Sequence, residues 1–123
     1  MSDITPVEIE RKLRALVNEL AAAQLALQKA RDAEVAAKHE YLIAYRRAWF
    51  HPDCPKPSRG IATVADREAW CDAQAFTEQQ ALDLAEVARK SAEDYLRTLR
   101  DQAVIVATLA KSVNTAYGMA GSL

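Results

Sequence analysis

The chain reads as all-α: a long antiparallel two-helix coiled-coil hairpin that assembles into a homo-oligomer. Three observations predict this. Apolar residues recur at alternating steps of four and three on both sides of the midpoint. Three of the four prolines and one of the three glycines crowd into the single segment His51–Gly60. Half of the 123 residues are hydrophobic, but many of these are alanine, a composition suited to thin helix-on-helix contacts and not to a thick core.

The first helix is expected over 6–50. Thr5-Pro6-Val7-Glu8 has the form of a capping box: the threonine caps backbone donors, proline occupies the first helical position, and the glutamate reaches back to the cap. Downstream, Ile9, Leu13, Leu16, Leu20, Ala23, Leu27 and Ala30 follow the 3.5-residue period of a coiled-coil seam. With no breaker before Pro52, the helix runs about 45 residues, on the order of 65–70 Å at 1.5 Å per residue. A proline-rich turn follows over 51–62, because prolines remove backbone donors and push the preceding residue out of the helical region. Thr63-Val64-Ala65-Asp66 offers a second cap, and the second helix is expected over 64–117. Its later half repeats the seam as Ala92, Leu96, Leu99, Ala103, Val106, Ala110, Val113 and Tyr117. Its first half is weaker, with Cys71, Ala75, Leu82 and Ala85, and a kink would fall between Phe76 and Gln80. The tail 118–123 is expected to fray.

The domain is thus single, 1–123. A two-helix hairpin has no third layer, so Val104, Ile105, Leu109, Leu25 and Leu42 lie outside the seam and point to self-association. The seam residues Leu13, Leu16, Leu20, Leu27, Leu96, Leu99, Val106 and Val113 carry the coiled-coil and oligomer contacts.

Charge is placed unevenly. From Tyr41 to Arg67 five basic residues (Arg46, Arg47, Lys56, Arg59, Arg67) face two acidic ones (Asp53, Asp66), so this stretch carries +3 while the whole chain carries −1. Tyr41, Tyr45, Trp49, Phe50 and Trp70 lie in or beside it. Single-stranded nucleic acid is held by cations on its phosphates and flat rings under its bases, and the hairpin tip supplies both. The candidate nucleic-acid-binding residues are Lys38, Arg46, Arg47, Lys56, Arg59 and Arg67, with Tyr45, Trp49 and Phe50 as stacking platforms. The competing reading is packing: Tyr41, Tyr45 and Trp49, at i, i+4 and i+8, form one stripe able to plug the end of the hairpin against Trp70.

Other chemistry is poorly represented. His51, Asp53, Cys54 and Cys71 are zinc-ligand types, but His51-x-x-Cys54 has only Cys71 as a distant complement, and no metal or other cofactor is expected. There is no glycine-rich phosphate loop, nucleophile elbow or His-Glu-x-x-His, so no enzyme is expected. Glu19, Glu34, Glu78 and Glu86 read as solvated helix surface. No run of about 18 apolar residues suggests a membrane span. Met1–Thr5 leads directly into Glu8-Ile9-Glu10-Arg11-Lys12 without a leader, so a cytoplasmic protein with reduced cysteines is expected.

The order of these features resembles the small phage recombination mediator proteins of the UvsY type. The likeness is carried by three features: the run Val35-Ala-Ala-Lys38-His-Glu-Tyr41 late in the first helix, the restart Thr63-Val-Ala-Asp66-Arg67 after an irregular loop, and a long final helix from Tyr95-Leu96 through Val113. The resemblance implies an all-helical homo-oligomer in the host cytoplasm that binds single-stranded DNA. Such proteins help load a recombinase onto strands coated by a single-strand binding protein. In that family a basic pair near the end of the first helix takes part in DNA binding. Lys38 occupies one of its positions, the other falls at His39-Glu40, and Arg46 and Arg47 stand further along the helix. The loop is proline-rich here where the family's is glycine-rich and acidic. The alternative is a coiled-coil protein-interaction or scaffold module that binds no nucleic acid.

Overall fold

The computed structural model describes residues 5–121, and these form three helices: α1 (Pro6–Trp49), α2 (Val64–Gln74) and α3 (Phe76–Gly121). Both predicted caps are present. The Glu8 amide donates to Thr5 Oγ1 (3.2 Å) and the Thr5 amide to Glu8 Oε2 (3.4 Å). At the second restart the Asp66 amide donates to Thr63 Oγ1 (3.2 Å) and the Thr63 amide to Asp66 Oδ2 (2.8 Å). Each box satisfies two donors that a helix start otherwise leaves without partners.

The expected second helix over 64–117 starts at Val64 as predicted and is corrected within its span and at its far end. It breaks at Ala75, just before the interval 76–80, so that α2 and α3 are separate elements. Ala75 (φ −97°, ψ 16°) donates its amide to the Cys71 carbonyl (2.9 Å) while its own carbonyl accepts from the Gln79 amide (2.9 Å). One residue thus closes one helix and opens the next without a glycine or proline. Its side chain and that of Cys71 are both fully buried, whereas Phe76 faces outward. At the other end α3 passes 117 and the helical Gly118 and continues to Gly121, in place of a frayed tail from 118; residues 122–123 lie outside the described residues.

The chain divides into two compact units. The terminal unit joins Met1–Gln28 with Ser91–Leu123, and the central unit is Lys29–Lys90. In the terminal unit the start of α1 packs antiparallel on the later part of α3 around Ala23, Leu27, Leu96 and Leu99, with Leu16, Leu20 and Ala92 against them. Ile9 is buried, and Leu13, Ala103, Val106, Ala110 and Val113 are half-buried, as the four-three spacing requires. Tyr117 departs from the seam and is half-exposed. Val104, Ile105, Leu109 and Leu25 lie outside it, all partly or largely open to solvent.

In the central unit the end of α1 runs antiparallel to α2 and the start of α3. Its core is built differently, from Ala48, Cys54 and Cys71 covered by Tyr45, Trp49 and Trp70. Leu82 is buried further along. Glu34, expected on the solvated surface, is instead half-buried and ion-paired with Arg89 Nε across the helices. Among the described residues no helix is long and apolar enough to cross a membrane.

Candidate nucleic-acid interface

The last turn of α1 ends with the Phe50 amide donating to the Arg46 carbonyl (3.1 Å), and the chain then turns twice. His51 and Cys54 amides close the first turn onto the Ala48 and His51 carbonyls (3.1 and 3.0 Å), and His51 Nδ1 accepts from the Asp53 amide (3.0 Å). The second turn is Ser58-Arg59-Gly60-Ile61, where the Ile61 amide reaches the Ser58 carbonyl (3.3 Å) and Gly60 takes φ 75°. A side chain is strained at that φ, so glycine is what presents Arg59 at the corner.

The loop is tied down by sulfur and aromatic contacts. Cys54 folds inward until its Sγ lies 3.9 Å from Cys71 Sγ on α2, both thiols free. Burial pushes the Cys71 thiol up from its ordinary value, helped by the contact with Cys54. Burial also raises the Tyr45 phenol, with Cys71 and Asp72 nearby adding to it. Tyr41, Tyr45 and Trp49 form a ladder with ring centroids 6.0 and 6.3 Å apart. At its end Arg67 lays its guanidinium 3.8 Å over the Trp49 ring and donates from Nη2 to the Trp49 carbonyl (2.9 Å). Trp70 meets the His51 ring at 5.5 Å.

These contacts sort the predicted residues. Arg67 is turned inward: its guanidinium braces α2 against the end of α1, and its Nε is buried without a partner. It is therefore a strut, not a free cation for phosphate. Tyr45 and Trp49 are half-buried in the core of this unit, the packing role that their i, i+4, i+8 spacing also allowed. Phe50, by contrast, is 79% exposed. Arg46, Arg47, Lys56 and Arg59 are exposed, and none of their side chains forms a hydrogen bond or ion pair among the described residues. Lys38 is exposed on α1 about two turns before Arg46.

One concavity lies within this set. Ala44, Arg47, Ala48, His51, Trp70, Gln74 and Glu78 line a groove of 150 Å³. That is smaller than the roughly 300–1,000 Å³ of drug-sized ligand sites, so it admits at most one flat group. Trp70, Gln74 and Glu78 were not legible as partners of Arg47, because α2 and α3 bring them to it from more than twenty residues away, whereas His51 lies one turn beyond it in the chain. No group of three or more His, Cys, Asp or Glu side chains able to hold a metal ion occurs among the described residues. No family model, curated protein or solved structure matches the chain.

Proposed function

We propose that the chain is a single-stranded DNA-binding accessory protein of recombination or replication, working as a homo-oligomer through the basic tip of its central unit. The observation that carries this reading is the set Arg46, Arg47, Lys56 and Arg59: four exposed cations within fourteen residues, against Asp53 alone, beside the exposed Phe50 ring. Single strands bind where cations follow the backbone and ring faces accept bases. Phe50 offers an open face, and the groove beside Arg47 offers a second place for a base, against Trp70. Gln74 and Glu78 supply hydrogen-bonding groups at its edge. The resemblance to recombination mediators supplies the setting, with a recombinase and a single-strand binding protein as partners. Repetition of the tip in an oligomer would add weak contacts by raising their effective concentration.

A fluorescence-anisotropy titration with labelled oligo-dT tests this, with oligo-U alongside to measure preference for the sugar. Binding is expected to weaken steeply with salt. Replacing Arg46 and Arg47 together with alanine should weaken it further and reduce the logarithmic salt slope by about 1.4, the loss of two phosphate contacts on a single strand. Absence of binding at low salt, or a double variant with unchanged affinity, sinks the proposal.

A further inference from the structure

From Gln102 to Gly121 α3 carries one charged residue, Lys111, and its outer face shows Val104 and Ile105, each 66% exposed. Beside them the terminal unit has a groove of 340 Å³ lined by Lys12, Ala15, Leu16 and Glu19 of α1 and by Gln102, Ile105 and Val106 of α3. Its floor is apolar and its α1 rim is charged at both ends.

The charges on that rim are the informative part. Near the start of α1, Glu8 is engaged in the cap and Glu10 is paired with Arg14 at 2.7 Å. Lys12 and Glu19 have no such partner among the described residues and are exposed. They stand seven residues apart, two helical turns, and so lie on the same stripe of α1, separated by about 10 Å. Ala15 and Leu16 sit midway between them, and Ile105 and Val106 line the groove at the same level from α3. The groove is thus apolar at its centre, positive on one side and negative at an equal distance on the other. A two-fold axis through that centre exchanges its ends, bringing each Lys12 to the Glu19 of the other copy and stacking the apolar middles. This is the self-complementarity that an isologous interface requires.

We infer that this groove is the contact between two copies of the chain, related by a two-fold axis crossing at Ala15, Leu16 and Ile105. The inference rests on the homo-oligomer reading above but needs no nucleic acid. A partner protein with a plain apolar helix would satisfy Ile105 yet leave Lys12 and Glu19 unmatched, whereas a second copy matches both.

Sedimentation equilibrium of the full chain tests the contact. The wild-type protein should populate a dimer or an assembly of dimers. Ile105→Asp should dissociate it without loss of helical circular dichroism, because Ile105 is outside the protomer's core. Lys12→Glu and Glu19→Lys should each raise the dimer dissociation constant about tenfold, since each turns two attractive pairs repulsive. The double variant Lys12→Glu with Glu19→Lys should recover wild-type association. Only an interface that sets the two residues opposite each other gives that rescue. An assembly indifferent to Ile105→Asp, or a double variant no better than the single ones, overturns this interface while leaving the oligomer reading standing. A monomeric wild-type protein overturns both, and the oligo-dT titration reports on DNA binding separately.

Discussion

The terminal and central units use the same pair of long helices and hold them together in different ways. In the terminal unit the core is a repeat: Leu16, Leu20, Ala23 and Leu27 against Ala92, Leu96 and Leu99, with no polar group required for the fit. In the central unit it is a set of individual contacts: two thiols, two indoles, a phenol and a guanidinium. A repeat spreads its stabilisation over equivalent positions. A set of unlike side chains concentrates it, and each member also orients its neighbours. Removing a leucine should therefore cost stability and little else, whereas removing a member of the aromatic set should also disturb the loop that carries Lys56 and Arg59.

The largest effect that tests this contrast is expected from Leu99→Ala. Leu99 is 2% exposed, and truncating it should lower the free energy of unfolding by about 2–4 kcal/mol in urea titration, with oligo-dT affinity nearly unchanged. Arg67→Ala comes next. It removes the hydrogen bond to the Trp49 carbonyl and the contact with the indole face, and should cost about 1–3 kcal/mol. Its effect on DNA should come through the shape of the loop: affinity falls, but the salt slope stays, because Arg67 does not face phosphate. A reduced slope would show that it is a phosphate contact after all.

A smaller effect depends on pH and belongs to the central unit alone. Cys71 and Tyr45 both have folded values raised above their unfolded ones. The stability they contribute is fully present below the unfolded thiol value of about 8.5 and is lost as pH rises through the folded one, with Tyr45 following above about 10. Urea midpoints measured from pH 7 to 10 should fall across that window, and Cys71→Ala should remove the thiol's part of the fall. The smallest effect is expected at the exposed cations. Arg46→Ala with Arg47→Ala should change stability by less than about 0.5 kcal/mol, which separates their proposed work on DNA from any part in folding.

Much of the fold was legible because its signal is periodic. Nearly every seam position from Ile9 to Val113 is buried or half-buried, and both caps lie where a threonine precedes an acid by three residues. The break at Ala75 was placed slightly late because nothing local marks it. Alanine favours helix, and Cys71 and Ala75, four residues apart, enter the core on one face as they would in an unbroken helix. Within the tip, composition reported where the cations are along the chain but not which way they turn. Arg67 and Arg46 have the same charge, yet one closes over Trp49 and the other faces water. The Glu34–Arg89 pair spans 55 residues and leaves no local pattern. The groove beside Arg47 likewise exists only once α2 has folded against α1.

The burial of both cysteines has a practical consequence at the bench. With Cys54 4% and Cys71 0% exposed, maleimide and nitroxide reagents should find no ready target on the native protein. A single cysteine introduced on the open face of α3, for example Ser112→Cys, should then take one label, countable by intact mass, while the native pair stays unmodified. Distance measurements between labelled copies can in this way be made without first altering the core that shapes the tip.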